Sequence, residues 1–259
     1  MDYFSVVKEV VLHAGKVHRK YFQRNFTVKA KGKSYDLLTI ADTEAEEVMV
    51  SFIRKHFPKH NFLCEENIYR KNNSEFTWVI DPLDGTNNFA SGLPIFCASA
   101  ALVYRNEILV SAVYDTTRDE LFSAQKGEGA WLNKKRIYVN KAKELKEALL
   151  ITGFYYSRGK EMVETLETIK RFHFAKIIGI RRLGAAALDL CYVASGRAAG
   201  FWEFELNPWD YMGGKLIVEE AGGRVTGKYG EDIPLKKKYF VVASNGLIHQ
   251  TILAIINKD

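Results

Sequence analysis

The spacing of apolar residues changes near the middle of this chain, and the change limits the folds that the sequence can adopt. From about residue 95 to about residue 139, short apolar runs alternate with turn residues, as in IFCASAALVY, ILVSAVYD, LFSAQ and AWLN. This pattern is typical of an antiparallel meander. After about residue 145, strand-like runs such as ALLITG alternate with helical runs such as GAAALDLCYVASG. The sequence therefore predicts an α/β chain of two closely packed halves, with a boundary near residues 140–146 that no flexible linker marks.

Two amphipathic helices are predicted ahead of the meander. Apolar residues recur at helical spacing between Val6 and Val17, which predicts a first helix from about residue 2 to about residue 23. The segment ADTEAEEVMVSFIRKHF predicts a second helix with Asp42 or Thr43 as its N-cap, and the proline that follows stops it. The polar segment KAKGKSYD between the two helices is predicted to be a mobile loop.

Composition argues against several classes of protein. No stretch of the 259 residues approaches the roughly 18 consecutive apolar residues that span a bilayer, and the N-terminus has no basic region. We therefore expect a soluble, cytoplasmic protein with no membrane partner. The three cysteines, Cys64, Cys97 and Cys191, are far apart, which argues against a disulfide framework and against a thiolate zinc site.

The formal net charge of +6 raises nucleic acid as a partner. However, the basic residues are spread along the chain, and no arginine-rich arm or RNA-binding signature accompanies them. We favour solvated basic faces that attract a small anionic substrate, and nucleic acid stays open as the alternative.

The segment WVIDPLDGTNNF places two carboxylates, Asp81 and Asp84, directly after an apolar strand. By itself Asp-Pro-x-Asp-Gly is mostly a turn signal. A second acidic pair, Glu65 and Glu66, ends another strand-like run just upstream, and strand ends are where α/β folds build sites. Carboxylates held together repel one another unless cations lie between them. Oxygen ligands without histidine or cysteine suit Mg²⁺, Mn²⁺ or Ca²⁺, and Mg²⁺ indicates phosphoryl chemistry.

Two other phosphate-binding patterns are tested by the sequence. It contains no P-loop of the form G-x-x-x-x-G-K-[ST]. A haloacid-dehalogenase-type phosphatase places its aspartates two residues apart, whereas Asp81 and Asp84 are three apart. Attack by a water on a metal-polarised phosphate, with the backbone amides of Gly85 and Thr86 holding the phosphate, fits better.

Three separated motifs resemble those of the inositol monophosphatase family, within the Mg²⁺-dependent, Li⁺-sensitive phosphomonoesterases that include the fructose-1,6-bisphosphatases. The motifs are CEEN, WVIDPLDGTNNF and NPWDYMGGKLIVEEAGG, and similarity extends over nearly the whole chain. The resemblance implies a layered αβαβα sandwich, divided into an N-terminal half (1–142) and a C-terminal half (143–259) of one compact unit. It also implies two or three Mg²⁺ ions per site, replaceable by Mn²⁺, with Li⁺ or Ca²⁺ inhibitory, and a homodimer.

Carried over position by position, the resemblance implies a site of several parts. Metal ions would be held by side chains and one backbone carbonyl, from Glu65, Asp81, Leu83, Asp84 and Asp210. Glu65 would also orient the attacking water, which Thr86, hydrogen bonded to Asp42, would help to activate. The phosphorylated substrate would be bound by Asp84, Gly85, Thr86, Gly184, Ala185, Ala186, Glu203 and Asp210, with Glu203 at the sugar or polyol hydroxyls and the amides of the GAAALDL helix at the phosphate.

Several of these residues have an ordinary structural alternative. Asp210 lies at the start of a predicted helix, and its structural alternative is to cap that helix without binding a metal. The structural alternative for Glu203 is to be the outward-facing residue of a strand. Lys31 would belong to a mobile element of the metal site, or would be a solvated lysine. Arg181 and Arg182 can attract a second phosphate. The alternative, which we slightly favour, is that one of them is an interface or salt-bridge residue.

The predicted activity is hydrolysis of inositol 1-phosphate, with fructose 1,6-bisphosphate as a further substrate. Histidinol phosphate and 3′-phosphoadenosine 5′-phosphate are alternative phosphomonoesters, because the sequence outlines the polyol pocket poorly. An RNA-binding or transcription-complex role, which some bacterial members of the family have, is the alternative from another class of protein.

Overall fold

The computed structural model describes residues 1–24, 28–30, 37–154, 159–234 and 238–258. The described helices are α1 Tyr3–Tyr21, α2 Ile40–His56, α3 Thr86–Ala90, α4 Lys160–Phe174, α5 Ala186–Ala194, α6 Pro208–Glu220 and α7 His249–Ile256, with a 3-10 turn at Leu145–Glu147. The strands of the first half are β1 Val28–Ala30, β2 Leu37–Thr39, β3 Asn61–Cys64, β4 Phe76–Asp84, β5 Cys97–Tyr104, β6 Glu107–Asp115, β7 Glu120–Gln125, β8 Gly129–Leu132 and β9 Lys135–Ile137. The strands of the second half are β10 Leu149–Thr152, β11 Gly179–Arg181, β12 Gly200–Leu206, β13 Arg224–Thr226 and β14 Tyr239–Ser244.

Two large sheets and three pairs of helices stack as five layers. A seven-stranded sheet has the order β3-β4-β5-β6-β7-β8-β9, and a five-stranded sheet has the order β11-β10-β12-β14-β13. Helices α1 and α2 cover the outer face of the first sheet, α5 and α6 lie between the sheets, and α4 and α7 cover the outer face of the second. The predicted αβαβα sandwich is therefore confirmed. The division into residues 1–142 and 143–259 stays a prediction.

The predicted meander is also confirmed, because β4 to β9 pair antiparallel in chain order. Strand β5 shows why its sequence is continuously apolar. Ala101 and Val103 face the core between the sheets, while Ala100 and Leu102 face the core under α1 and α2. Since both faces of the strand are buried, apolar side chains occupy both alternating positions.

The N-terminal helices agree with the sequence pattern except at one cap. Helix α1 begins after Asp2, whose Oδ1 accepts from the Ser5 amide at 2.9 Å. The expectation that Asp42 or Thr43 caps α2 is wrong: the N-cap is Thr39, and Asp42 is the third helical residue. The Asp42 carboxylate accepts from the Thr39 amide at 2.7 Å, which completes a capping box over T-x-x-D.

The structure describes the predicted mobile loop only in part. The predicted mobile loop falls mainly on residues 31–36, which lie outside the described residues, as does Lys31. Lys29 and Ala30 belong to β1, which pairs with β2. Across the described ranges, no helix combines the length and the apolar character that a bilayer span requires.

Candidate active site

The turn after β4 presents its carboxylates through an irregularity in the strand. Asp81 pairs with Ser99 and Asp84 pairs with Cys97, so three residue steps on β4 match two on β5. Such a bulge re-aims side chains at the end of a strand. The Leu83 amide donates to Asp81 Oδ1 at 3.1 Å and holds the turn closed.

Gly85 and His18 both support this turn. Gly85 has a φ of +93°, and a Cβ there would lie 2.9 Å from the Ile95 carbonyl oxygen, so only glycine fits without strain. The buried His18 ring of α1 donates from Nε2 to the Pro82 carbonyl at 2.8 Å, and its Nδ1 lies 2.9 Å from the Thr116 hydroxyl. Burial lowers the pKa of His18 to about 4, so the ring is neutral near pH 7.

Most of the predicted site residues line one cleft. Glu65 follows β3, which runs parallel to β4, so its carboxylate reaches the same sheet edge as those of the turn. The predicted residues that line the cleft are Glu65, Asp81, Leu83, Asp84, Gly85, Thr86, Gly184, Ala186, Glu203 and Asp210. Asp42 and Ala185 are fully buried and are absent from the lining.

Burial and neighbouring negative charges raise the pKa values of acidic groups in the cleft. Burial, followed by the charges of Glu65, Asp84 and Asp210, raises the pKa of Asp81 well above its usual range. Burial also raises the pKa of Asp84 to about 7, opposed by the backbone amide of Ala187, and burial and Glu65 raise the pKa of Asp210. Because the charged forms of Asp81, Asp84 and Asp210 are disfavoured, cations bind favourably at this site.

Three of these carboxylates have one oxygen held by a backbone amide. Besides the Leu83 bond to Asp81, the Ala187 amide donates to Asp84 Oδ2 at 2.7 Å, and the Asn207 amide donates to Asp210 Oδ2 at 2.6 Å. These bonds fix the side chains while the second oxygen of Asp84 and of Asp210 can still act as a ligand. The donor set of carboxylates plus the Leu83 carbonyl suits Mg²⁺, which also keeps waters and substrate oxygens. Among the described residues, no group of three or more histidine, cysteine, aspartate or glutamate side chains is already arranged to hold a metal ion.

Thr86 and Asp42 are in contact. The Thr86 hydroxyl lies 2.9 Å from Asp42 Oδ1 and 3.0 Å from the Leu83 carbonyl oxygen, and both are acceptors. The other oxygen of Asp42 accepts the hydrogen bond of the α2 capping box described above. One buried carboxylate therefore both stabilises the start of a helix and holds a hydroxyl group of the site in place. With its proton donated in this way, Thr86 Oγ1 has a lone pair available to accept a hydrogen bond from water.

The N-terminus of α5 also lines the cleft, through Gly184 and Ala186. Its N-cap residue, Ala185, offers no side-chain cap, and Gly184 before it has a φ of +87°. Amides at such an end attract anions. Asp84 already takes the Ala187 amide at 2.7 Å, and the Ala186 amide also opposes the rise in the pKa of Asp84.

Glu203 lines the cleft as well, at the point where the pairing of β12 with β14 shifts register between Glu203 and Leu206. A Cβ on Gly153, at the end of β10, would lie 1.9 Å from a Glu203 carboxylate oxygen, so this carboxylate rests on the bare glycine backbone. Burial raises the pKa of Glu203 to about 8, and Arg182 opposes the rise.

Several site residues were absent from the sequence interpretation. Phe154, Glu205 and Asn207 line the cleft, and Asp189 of α5 lies fully buried behind it. Within the part of the chain that the structure describes, neither carboxylate oxygen of Asp189 has a hydrogen-bond partner, and burial and Glu203 raise its pKa well above the usual range. An aspartate in the apolar run AALDLCYVA was the available signal, because a buried polar group is the informative exception in such a run.

Comparison with known proteins extends over the whole chain. The model of the "Inositol monophosphatase family" matches residues 2–259. An inositol-1-monophosphatase of Synechocystis is 38% identical over 252 residues, covering 96% of this chain and 87% of the relative. A putative Nus factor SuhB of Neisseria meningitidis is 40% identical over 230 residues, covering 88% of each.

Two solved structures extend the comparison to three dimensions. An IMPase of Thermotoga maritima superposes with a TM-score of 0.90 at 36% identity, covering 99% of this chain and 97% of the other. An IMPase/NADP phosphatase solved in complex with Mg²⁺ and phosphate superposes with a TM-score of 0.83 at 26% identity, covering 98% and 93%.

Proposed function

This chain belongs to the inositol monophosphatase family, and we propose that it is a Mg²⁺-dependent phosphomonoesterase that hydrolyses inositol 1-phosphate to inositol and phosphate. The observation that carries the proposal is the meeting of Glu65, Asp81, Asp84 and Asp210 in one cleft with an uncapped helix N-terminus. Supporting this, a relative named inositol-1-monophosphatase is 38% identical, and a similar structure holds Mg²⁺ and phosphate.

The chain's own residues would divide the work along the cleft. The four carboxylates and the Leu83 carbonyl would hold Mg²⁺. When bound, Mg²⁺ supplies positive charge that polarises the phosphoryl group and acidifies water. The amides of Gly85, Thr86 and the α5 N-terminus would bind phosphate oxygens.

Proton handling falls to Glu65, Thr86 and Asp42. Glu65 would orient the attacking water, and the Thr86 hydroxyl, held by Asp42, would accept a hydrogen bond from that water. The water oxygen forms the new bond to phosphorus while the bond to the ester oxygen breaks. One proton of the water ends on the departing inositol oxygen.

Glu203 would determine which alcohol is accepted as the unphosphorylated part of the substrate. Its carboxylate can accept hydrogen bonds from the hydroxyls of inositol or of a sugar. Fructose 1,6-bisphosphate, histidinol phosphate and 3′-phosphoadenosine 5′-phosphate are the rival substrates. A cytoplasmic location, lithium sensitivity, and a homodimer stay predictions.

The test measures Mg²⁺-dependent phosphate release from inositol 1-phosphate and from fructose 1,6-bisphosphate. Asp84→Asn should lower kcat at least about 100-fold, because even residues that only orient a metal ligand contribute about 10- to 100-fold. The matched control is Asp232→Asn, the same chemical change on an exposed aspartate that does not line the cleft. The proposal would be contradicted if Asp84→Asn kept most of the activity. It would also be contradicted if the wild type released phosphate from neither substrate.

A second candidate function is binding of RNA or of a transcription complex. The relative named as a putative Nus factor SuhB is 40% identical, and the formal net charge of this chain is +6. Retention on an RNA column with a strong salt dependence would support this role. Failure to bind RNA at low salt would remove it.

A further inference from the structure

The His18 ring of α1 bonds to the turn after β4 without lining the cleft. Its Nε2 lies 2.8 Å from the Pro82 carbonyl oxygen, and because a carbonyl only accepts, Nε2 carries the ring proton. Burial lowers the pKa of His18 to about 4, so the ring holds no second proton near pH 7, and Nδ1 accepts from the Thr116 hydroxyl at 2.9 Å. Thr116 directly follows β6, so a chain of hydrogen bonds leads from the end of β6, through α1, into the turn.

This chain ends on the peptide group between Pro82 and Leu83. The carbonyl of that group accepts from His18, and its N–H, that of Leu83, donates to Asp81 Oδ1 at 3.1 Å. Because a peptide group is planar, two bonds at its two polar atoms fix the orientation of the whole plane. Asp81 on one side of the plane and the Leu83 carbonyl on the other are both proposed metal ligands. Only two backbone dihedral angles separate the Leu83 carbonyl from the fixed plane, so His18 helps to set its direction.

The surroundings of His18 offer the Pro82 carbonyl no easy replacement for the ring. His18 is fully buried, and Pro82 is buried as well. The ring lies edge-on to Phe96 and Phe89, with ring centroids 5.6 Å and 6.1 Å away. A buried carbonyl without a partner is unfavourable, so a turn that lost the His18 donor would shift until the carbonyl found another. Such a shift would move the two ligands relative to each other.

We propose that His18 is a positioning residue for the metal site, whose bond to Pro82 holds the turn in the form in which Asp81 and the Leu83 carbonyl can bind Mg²⁺ together. The inference rests on the proposed Mg²⁺-dependent function and adds a residue outside the cleft to it. Residues that hold metal ligands in place typically contribute about 10- to 100-fold to metal affinity. His18 acts through a peptide group and not on a ligand directly, so we expect about tenfold, the lower end of that range.

The test compares two amides at this position, His18→Gln and His18→Asn. The glutamine amide nitrogen reaches about as far as Nε2 and can donate to Pro82, whereas the asparagine amide reaches only about as far as Nδ1. Isothermal titration of the metal-free proteins with Mg²⁺ alone gives the dissociation constants. We expect His18→Asn to raise the Kd for Mg²⁺ about tenfold, and His18→Gln to keep most of the wild-type affinity. His18→Leu, which removes both polar groups, repeats the test if His18→Asn does not fold.

His249 provides the matched control. It is also fully buried, and burial also lowers its pKa to about 4. Its ring nitrogens lie 2.8 Å from the Ser244 and Thr226 hydroxyls, so these contacts join α7 to β14 and β13 and not to the metal-side turn. We expect His249→Asn to lower stability in urea unfolding about as much as His18→Asn and to leave the Kd for Mg²⁺ unchanged.

Steady-state kinetics add a second measurement. The Mg²⁺ concentration that gives half-maximal activity should rise in His18→Asn in step with the Kd. The KM for inositol 1-phosphate at saturating Mg²⁺ should stay unchanged, because His18 does not line the cleft.

Three outcomes would overturn the role of His18. His18→Asn would bind Mg²⁺ as tightly as the wild type, His18→Gln would bind it no more tightly than His18→Asn, or His249→Asn would weaken binding as much as His18→Asn. If the wild type binds Mg²⁺, any of these outcomes removes only the role of His18. A wild type that binds no Mg²⁺ would contradict the proposed function itself, and the inference with it.

Discussion

The acidic cleft should make the metal-free protein less stable than a variant that lacks one of its carboxylates. The perturbation is Asp84→Asn, which removes the charge and keeps an oxygen that can accept from the Ala187 amide. In the folded chain the pKa of Asp84 rises from 3.8 to about 7. A carboxyl that binds its proton more tightly in the folded state loses relative stability as the pH rises from its unfolded pKa through its folded pKa.

The magnitude follows from the size of this rise. At 1.36 kcal/mol for each pKa unit, the rise corresponds to roughly 4 kcal/mol once the pH exceeds both values. Asp84 is partly exposed to the cleft, so solvent screening reduces the cost, and we expect about 2 kcal/mol. In EDTA at pH 8, Asp84→Asn should therefore have the larger free energy of unfolding by about 2 kcal/mol, and the difference should vanish near pH 4.

The assay is urea unfolding at pH 4, 6 and 8 in EDTA, repeated in Mg²⁺. Mg²⁺ should stabilise the wild type more than the variant and reverse their order, because a ligand stabilises the state that binds it. The exposed Asp232→Asn change should show neither the pH-dependent difference nor the reversal. An Asp84→Asn protein that is less stable than the wild type in EDTA at pH 8 would refute the electrostatic reasoning.

Three further predictions concern groups around the site. Gly153→Ala should raise KM for inositol 1-phosphate about tenfold with little change in stability, since the new Cβ displaces only the flexible carboxylate of Glu203; steady-state kinetics and thermal unfolding check this. Gly214→Ala should cost about 1–3 kcal/mol in urea unfolding, because its Cβ would lie 2.5 Å from Leu190 Cβ between α6 and α5. As the pH falls from 6.5 to 4, His18 should lower the free energy of unfolding of the wild type by up to about 3 kcal/mol, because its folded pKa is about 4. Urea unfolding of His18→Gln should show a smaller loss of this free energy over the same range.

Local sequence patterns predict the parts of this fold that depend on neighbouring residues. The meander follows from apolar runs cut by turn residues, and the metal-side turn follows from proline, glycine and two aspartates within a few positions. The cap of α2 was also readable, since the T-x-x-D pattern from Thr39 to Asp42 contains the capping box. The expectation placed the cap at Asp42 or Thr43 because aspartate and threonine are both preferred N-cap residues.

Contacts between distant segments could not be predicted from local patterns. The hydrogen bond from Thr86 to Asp42 joins residues 44 positions apart, and the Ala187 amide meets Asp84 across 103 positions. Nothing near Gly153 in the sequence indicates that the Glu203 carboxylate rests on it. These contacts depend on how α5 and the two sheets pack. That packing is determined by the apolar residues of the whole chain together and not by any one local segment.

The position of α5 explains why one cleft combines cation and anion binding. Its N-terminal amides carry partial positive charge, and one of them already bonds Asp84 at the edge of the acidic cluster. The same helix thus stabilises a carboxylate of the metal site and leaves its remaining amides for a phosphate. If the carboxylates and the phosphate were bound by separate elements, each anion would have to be stabilised independently. Because α5 lies between the two sheets, a change that shifts it, as Gly214→Ala should, is expected to weaken metal binding and phosphate binding together.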